Sequence, residues 1–255
     1  MSFTIYPAID LRGGRVVRLK EGDPARMTSF SDDPAQTARR WLEAGARWLH
    51  VVNLDGAFGE GDSKNRSALH AILNVTKEFG AYVQFGGGLR SLDAIENAIK
   101  LGISRTVLGT IAIEESDIIS KVIEKFGAEK IAVGIDARDG LVRVRGWKDN
   151  SGISATELAP QMRSLGLRIV IFTDVSRDGL GGGLNIAATR ALADVSGLDV
   201  IASGGAHTMD DVIAAQDAGL SGVIIGRALY EGTIDLNDAL KSLNTTNTKD
   251  TKENS

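Results

Sequence analysis

The sequence predicts one (β/α)8 barrel, a parallel sheet of eight strands closed on itself inside a ring of helices. Three observations lead to this fold class. Eight short β-branched runs alternate with amphipathic stretches, the runs are apolar on both faces, and the two halves of the chain repeat the same motifs. Strands buried on both faces are typical of parallel sheets covered by helices. The alternative is an open, doubly wound sheet.

The elements follow one another in regular order. The predicted strands occupy residues 3–9, 48–52, 82–85, 106–108, 131–135, 169–172, 200–202 and 223–225. Apolar residues at three- and four-residue spacing predict helices between them, at residues 34–44, 92–101, 155–165 and 209–218. Two of these helices have N-cap residues, Asp33 and Thr208, and glycines close the helices at Gly45, Gly102, Gly166 and Gly219. Residues 141–146 predict a hairpin excursion after the fifth strand.

The two halves of the chain share their motifs in register. When Gly87-Gly88 is aligned with Gly204-Gly205, the match continues without gaps to Gly109 and Gly226. Upstream, the pattern Ile-Asp-x-Arg-x-Gly begins at residue 9 and again at residue 135. Four βα units cannot bury their strands alone. The repeat therefore predicts two half-barrels that close on each other and place equivalent loops on opposite sides of one mouth.

Composition excludes several classes of protein. The chain has 255 residues, 43% apolar and 24% charged, which is typical of a folded globular protein. It lacks the roughly 18 consecutive apolar residues of a membrane span and the pattern of a signal peptide, so we expect a cytoplasmic protein with no membrane contact. The absence of cysteine excludes disulfides, thiolate metal sites and cysteine nucleophiles. A net charge of −4 gives no bulk attraction for nucleic acid.

The barrel is expected to form a single domain over residues 1–243. Residues 244–255 contain no apolar side chain, and this composition predicts an unstructured tail. We expect the protein to act as a monomer on a small molecule.

Glycine-rich loops follow the third and seventh predicted strands, and one βα unit after each loop another glycine follows the next strand. Glycine lets backbone N–H groups point at an anion, although tight turns also use it for steric reasons. Because the pattern is duplicated, we predict two phosphate sites facing each other and a ligand with a phosphate at each end. The residues are Gly87, Gly88, Arg90, Gly109 and Thr110 in the first half and Ser203, Gly204, Gly205, Gly226 and Arg227 in the second.

Carboxylates stand where the predicted strands end. Asp10 and Asp136 follow the first and fifth strands, which lie on opposite sides of an eight-stranded barrel. One ionised and one protonated carboxyl group on two sides of a substrate form the acid–base pair that a proton shuttle requires. The alternative is that each aspartate caps a turn. Asp174, after Thr173 at the end of the sixth strand, is a third candidate.

The remaining candidates are three histidines and one tryptophan. His50 falls in a strand pattern and His70 in a helix pattern, so we interpret both as structural, whereas His207 in the second glycine loop is a candidate ligand contact. Trp147 is predicted to stack on a flat ring in the mouth rather than to fill the core. No spacing of residues is typical of a metal site.

Several motifs together resemble a known family. The segments YPAIDLRGGRVVRLKEGD, LHVVNLDGA, FGGGLR, VLGT, FTDVSRDG and IASGG, in this order and spacing, are similar to the ProFAR isomerases of histidine biosynthesis over about residues 5–240. The resemblance implies an Amadori rearrangement of an aminoaldose to an aminoketose. The implied substrate is a bisphosphorylated ribonucleotide, and no cofactor is needed.

The resemblance also implies roles for individual residues. Asp10 becomes the proton acceptor and Asp136 the proton donor. Thr173 and Asp174 would hydrogen-bond the opened sugar. Arg18, in the loop after the first strand, and Trp147 would engage the substrate when the loops close over it. Loop closure is a hypothesis.

The chain departs from the family pattern at three places. Asn53 stands where the family usually has aspartate, Leu180 where it has threonine, and glycines fill positions 181–183. Asn53 either shifts the pKa of a neighbour such as Asp10 or removes a structural hydrogen bond to a loop. The glycine run predicts a more mobile loop after the sixth strand.

Three other functions remain open from sequence. Bifunctional relatives also isomerise phosphoribosyl anthranilate, a substrate with one phosphate, and they need the same chemistry. The sister cyclase of the family takes ammonia from a partner, but the opening IYPAIDLRGG matches the isomerase. A phosphosugar-binding barrel that has lost its chemistry is the third alternative.

Overall fold

The computed structural model describes residues 3–246. Its strands are β1 (Thr4–Arg12), β2 (Arg15–Lys20), β3 (Asp23–Ser31), β4 (Trp48–Asn53), β5 (Tyr82–Gly86), β6 (Arg105–Leu108), β7 (Ile131–Arg138), β8 (Leu141–Val144), β9 (Asp149–Ser154), β10 (Ile169–Asp174), β11 (Asp199–Ser203) and β12 (Gly222–Ile225). Eight of them pair in parallel in the order β10, β11, β12, β1, β4, β5, β6, β7, and β7 pairs with β10 to close the barrel. All eight predicted strands are confirmed, and closure rules out the open sheet.

Helices follow the barrel strands and cover the sheet. They are α1 (Pro34–Glu43), α2 (Leu54–Phe58), α3 (Ser63–Phe79), α4 (Leu92–Leu101), α5 (Thr110–Glu114), α6 (Asp117–Phe126), α7 (Ala155–Ser164), α8 (Ile186–Ser196), α9 (Met209–Asp217), α10 (Arg227–Glu231) and α11 (Leu236–Thr246). The four predicted helices are confirmed to within one residue. Among residues 3–246, none of these helices is long and apolar enough to cross a membrane.

The end of the chain differs from the predicted boundary. Helix α11 continues to Thr246, three residues past the predicted end of the barrel at residue 243. The rest of the predicted tail, residues 247–255, lies outside the described residues.

Capping explains where several helices begin and end. The Asp33 carboxylate accepts a hydrogen bond from the Gln36 N–H at 2.9 Å and so satisfies one free N–H at the start of α1. Thr208 and Asp211 form a capping box at α9. Helix α4 ends on Gly102, whose φ of 111° lies in the left-handed region that glycine tolerates.

The hydrophobic core has one layer inside the barrel and one outside it. Ile171, Ile201 and Ile224 are at most 5% exposed and fill the lower interior of the barrel. Two larger clusters lie between the strands and the surrounding helices. Nearer the carboxyl ends of the strands the inward-facing residues become polar, and a cavity opens there.

Two antiparallel excursions rise above the barrel mouth. Strand β1 extends beyond the barrel and pairs with β2, which pairs with β3. Strand β7 does the same with β8, which pairs with β9. The second excursion is the hairpin predicted at residues 141–146. The first was not predicted, because β2 buries the consecutive residues Val16 and Val17 and most of β3 is exposed, so neither strand shows a clean alternation.

The two glycine loops have the same geometry. Gly87 and Gly204 have φ angles of 97° and 86°. A Cβ atom at either position would collide with the residue that ends the neighbouring strand, 2.2 Å from the carbonyl oxygen of Asn53 and 2.7 Å from that of Asp174. A duplicated half-barrel predicts this likeness, and the duplication itself stays a prediction.

Candidate active site

A cavity of about 800 Å³ lies at the carboxyl ends of the barrel strands. Asp10 on β1 and Asp136 on β7 line it. These strands are four apart in the closed sheet, so the two carboxyl groups come from opposite walls, as predicted. Each lies two residues before its strand ends, because both strands continue into the antiparallel excursions.

Asp10 forms a buried ion pair with Arg18. The Arg18 Nη1 atom lies 2.8 Å from Asp10 Oδ2, and both side chains are at most 12% exposed. Burial raises the pKa of Asp10 to about 6, and the charge of Arg18 counteracts part of that rise. Arg18 lies on strand β2, not in a loop as predicted, because the chain turns back at Gly13 and Gly14 and pairs with β1.

Asp178 is a carboxyl group of the site that the sequence analysis missed. Its Oδ1 atom lies 3.6 Å from Arg18 Nη2, so Arg18 bridges Asp10 and Asp178. Burial raises the pKa of Asp178, and Arg18 opposes that rise. The residue stands in the FTDVSRDG motif, four positions after Asp174. Its place in that motif was the available signal.

Asp174 is not brought to the cavity. Its Oδ1 atom accepts hydrogen bonds from the N–H and the hydroxyl of Ser176 at 3.0 and 2.6 Å, and its Oδ2 atom accepts one from Asn185 Nδ2 at 2.7 Å. These contacts hold the loop after β10 against the start of α8. Thr173, one residue earlier, does point into the cavity.

The carboxyl group of Asp136 accepts hydrogen bonds from two side chains. Trp147 Nε1 donates to Asp136 Oδ2 at 2.7 Å, and the Thr173 side chain is a second partner. Burial raises the pKa of Asp136, although both hydrogen bonds oppose the rise. Burial therefore shifts Asp136 toward its protonated form, whereas the charge of Arg18 favours the ionised form of Asp10.

Trp147 covers this side of the cavity. Its backbone φ of 68° is left-handed, an uncommon conformation for a bulky residue. Its ring packs against Gly22, where a Cβ atom would lie 2.3 Å from the ring. Trp147 thereby joins the two excursions above the mouth. Stacking of the indole on a flat ligand ring stays a prediction.

The first glycine loop forms part of the cavity wall. Gly87, Gly88, Arg90, Gly109 and Thr110 all line it. The Arg90 guanidinium donates to the carbonyl oxygens of Gly56 and Ala57, each at 3.2 Å, so its position above the loop is fixed. The Thr110 hydroxyl accepts a hydrogen bond from the Arg145 N–H at 2.9 Å.

The second glycine loop adjoins the cavity on the opposite side of the barrel. A cleft of about 20 Å³ is lined by Ser203, Gly204, Gly205, Gly226 and Arg227. The two spaces share Arg18 and Asp178 as lining residues. A Cβ atom at Gly226 would lie 2.4 Å from the Arg18 guanidinium carbon, so only glycine leaves room for Arg18. Arg227 pairs with Glu231 and donates to the Gly179 carbonyl at 3.2 Å.

The three histidines are placed as follows. His70 lies on helix α3, as predicted. His207 follows the second glycine loop and contacts Thr233 Oγ1 at 3.5 Å, and it does not line the cleft. His50, which the sequence analysis interprets as structural, is buried, and it also lines the cavity. Among residues 3–246, no group of three or more histidine and acidic side chains is arranged to hold a metal ion.

Asn53 is a structural residue that makes three hydrogen bonds. Its Oδ1 atom accepts from the Gly56 N–H at 3.1 Å and from Asn65 Nδ2 at 2.8 Å. Its Nδ2 atom donates to Asp62 Oδ2 at 2.8 Å. The amide thus fixes the loop between β4 and α3. None of these three hydrogen bonds involves Asp10, so they do not support the expectation that Asn53 shifts the pKa of Asp10.

We expect Asn53→Asp to lower the free energy of unfolding by about 1 to 3 kcal/mol, because a buried carboxylate would replace the amide that donates to Asp62. Denaturant unfolding followed by circular dichroism measures this change. The double variant Asn53→Asp, Asp62→Asn is the matched control, since it restores a donor and an acceptor. Equal stability of both variants would show that the Asn53–Asp62 hydrogen bond is not what the substitution breaks.

The fold and the site define a class of protein, a (β/α)8 barrel with opposed carboxyl groups, one buried and one half-buried, between two glycine loops. The chain belongs to the histidine biosynthesis protein family, whose model matches residues 4–235.

Three relatives of high similarity carry the same name, 1-(5-phosphoribosyl)-5-((5-phosphoribosylamino)methylideneamino)imidazole-4-carboxamide isomerase. The protein of Syntrophomonas wolfei is 46% identical over 240 residues, which cover 93% of this chain and 97% of the relative. The protein of Symbiobacterium thermophilum is 45% identical over 243 residues, which cover 94% of this chain and 96% of the relative. The protein of Roseiflexus castenholzii is 48% identical over 236 residues, which cover 92% of this chain and 98% of the relative.

Proposed function

We propose that the protein isomerises the aminoaldose named in its relatives, here called ProFAR, to the corresponding aminoketose. The observation that carries the proposal is the pair of carboxyl groups, Asp10 and Asp136, on opposite walls between two glycine loops. An Amadori rearrangement moves protons between carbon, oxygen and nitrogen without net oxidation, so acid–base groups suffice for it. The substrate carries a phosphate at each end, which matches two loops on opposite sides of the mouth.

The reaction begins with ring opening. Asp136 gives its proton to the ring oxygen of the aminosugar, the bond from C1 to that oxygen breaks, and the nitrogen lone pair forms a protonated Schiff base. Burial raises the pKa of Asp136 and so favours the protonated form that this step needs. The hydrogen bonds from Trp147 and Thr173 stabilise the carboxylate that remains.

Asp10 then acts on the Schiff base. Its carboxylate takes the proton from C2, and the electron pair moves toward nitrogen to give an enolamine, which tautomerises to the ketose. Arg18 holds the Asp10 carboxylate at 2.8 Å and favours its ionised form. Trp147 above the cavity limits the access of water, which would hydrolyse a Schiff base.

Asp178 is a second candidate for the acid. Its carboxyl group also lines the cavity and has a raised pKa. It lies near Nη2 of Arg18, whose Nη1 pairs with Asp10, and it lines the cleft at the second glycine loop. Asp174 has no part in the proposal, because its carboxylate is used within the loop after β10.

The phosphate ends of the substrate are assigned to the two loops. The N–H groups around Gly88 and those around Gly205 would bind one phosphate each, and Arg90 and Arg227 stand beside them. We further propose that one barrel domain acts as a monomer, because both loops and both carboxyl groups come from a single chain.

The direct test is an assay with purified protein and ProFAR, followed by the absorbance of the product. We expect turnover without added metal or cofactor. No turnover would overturn the proposal and leave the phosphosugar-binding alternative. A parallel assay with phosphoribosyl anthranilate tests the bifunctional alternative, in which the same chemistry acts on a substrate that has only one phosphate.

The pH profile should follow the ionisation of Asp10. Its pKa of about 6 predicts that kcat/KM falls as the pH drops below 6, since the base becomes protonated. Replacing Arg18 by methionine removes the charge that lowers this pKa, so the acid limb should move to higher pH. Arg90→Met is the matched control, because Arg90 lines the same cavity without contacting Asp10. An unmoved limb in Arg18→Met would exclude Asp10 as the titrating base.

A further inference from the structure

A polar cluster lies inside the barrel, beneath the carboxyl groups. His50 on β4, Gln84 on β5 and Arg105 on β6 come from three neighbouring strands, with Tyr6 on β1 beside them. All four residues are at most 9% exposed. His50 pairs across the sheet with Ala8, two residues before Asp10, so its ring lies one layer below that carboxylate. The proposed mechanism makes no use of this cluster.

The cluster fixes the direction of its hydrogen bonds. Arg105 can only donate, so the Gln84 atom that receives its Nη1–H at 3.2 Å is the carbonyl oxygen. The amide nitrogen of Gln84 must then face His50 Nδ1, 3.0 Å away. An amide nitrogen can only donate, so Nδ1 accepts and carries no proton. A neutral His50 ring therefore has its proton on Nε2.

Arg105 is held rigidly at one end of this series of hydrogen-bonded side chains. Its guanidinium lies over the Trp48 ring, 4.4 Å from the centroid. Its Nε atom donates to the Glu129 carbonyl at 3.2 Å, and Nη1 also donates to the Tyr6 hydroxyl at 3.3 Å. The guanidinium cannot turn away from Gln84 without breaking these contacts, so it sets the orientation of the amide.

His50 meets the cavity as a neutral ring. Burial, and secondarily the positive charge of Arg18, lower the pKa of His50 to about 3. The ring lines the cavity one layer below Asp10 and Val52, which pair with each other across the sheet. Its Nε2 atom has no hydrogen-bond partner among residues 3–246, whereas Nδ1 is bonded to Gln84.

We propose that Arg105 and Gln84 are positioning residues that hold His50 in its Nε2–H tautomer, so that the floor of the cavity offers a neutral hydrogen-bond donor to an oxygen of the sugar. A neutral donor binds a hydroxyl or carbonyl oxygen without adding a charge next to Asp10 and Arg18. This inference rests on the proposed function for the identity of the sugar. The tautomer itself can be measured without any substrate.

The tautomer is tested by long-range proton–nitrogen correlation spectra of the full chain labelled with ¹⁵N-histidine. The chain contains three histidines, so His70→Gln and His207→Gln variants assign the signals. We expect His50 to show a protonated Nε2 and an unprotonated Nδ1 at neutral pH. A proton on Nδ1, or on both nitrogens, would overturn the inference.

Gln84→Glu tests whether the tautomer matters. A carboxylate only accepts, so it keeps its pairing with Arg105 and moves the His50 proton to Nδ1. We expect kcat for ProFAR to fall about 10-fold, the ratio that corresponds to one hydrogen bond. Tyr6→Phe is the matched control, because it removes a contact of Arg105 and leaves the bond to Gln84.

The outcomes separate the claim that Gln84 sets the tautomer of His50 from the claim that this tautomer matters for the reaction. If Nδ1 stays without a proton in Gln84→Glu, Gln84 does not set the tautomer and the inference fails. If the proton moves and kcat is unchanged, the donor has no role in the reaction and the inference fails as well. If the unaltered protein does not turn over ProFAR, the proposed function fails, while the same spectra still decide the tautomer.

Discussion

Asp10→Asn is expected to reduce kcat for ProFAR by about 10³- to 10⁴-fold, the upper part of the range for a positioned general base. The amide has the shape of the carboxyl group, and its oxygen can still accept the hydrogen bond from Arg18. Binding should therefore persist while proton removal from C2 is lost. Turnover and calorimetric titration with ProFAR measure the two quantities separately.

The comparison of turnover and binding also decides between classes of protein. A loss of both together would mean that Asp10 is part of the binding surface and not the base. Turnover that survives the substitution would mean that another group removes the proton. A binding protein without catalysis would show no turnover before the substitution and the same affinity after it.

Asp136→Asn is expected to reduce kcat by about 10²- to 10⁴-fold, because an amide cannot donate the proton that opens the ring. The amide oxygen that this substitution introduces can still accept the hydrogen bond from Trp147, so the indole keeps its place. Asp178→Asn is the matched comparison, since both carboxyl groups line the cavity and both have a raised pKa. We expect the smaller loss in Asp178→Asn.

The reverse order would reassign the acid. If kcat falls further in Asp178→Asn than in Asp136→Asn, the proton comes from the carboxyl group beside Arg18, and Asp136 serves to hold Trp147. A substrate analogue whose ring oxygen is a better leaving group has less need of an acid. Such an analogue should restore turnover in whichever variant lacks the proton donor. Rescue of neither variant would place both carboxyl groups outside the ring-opening step.

The barrel could be predicted from sequence because its determinants are local. Each strand is a short apolar run, and residues such as Asp33 and Gly102 mark where helices begin and end. The pairing of Asp10 with Asp136 on opposite walls follows from the order of the strands alone, since positions in a closed sheet are fixed by counting.

The parts that were not predicted depend on contacts between distant segments. Arg18 reaches Asp10 only because β2 folds back on β1, and β2 lacks the alternation that marks a strand. Asp174 and Asp178 are four residues apart in one motif, and the loop between them turns one carboxylate toward Asn185 and the other toward Arg18. No local pattern distinguishes these two orientations.

His50 shows a different limit of sequence reasoning. The strand pattern favours a structural imidazole, in the core or at the surface, and the ring is buried. Its chemical state depends on Gln84 and Arg105, which come from two other strands. Asn53 is similar, because its departure from the family pattern is explained only by Asp62 and Asn65 beside it.

The most direct measurement is a crystal structure of Asp10→Asn with ProFAR bound. We expect one phosphate on the N–H groups around Gly88, the other on those around Gly205, and the aminosugar between residue 10 and Asp136. Both phosphates on one side of the barrel, or a sugar remote from these two side chains, would contradict the proposed function.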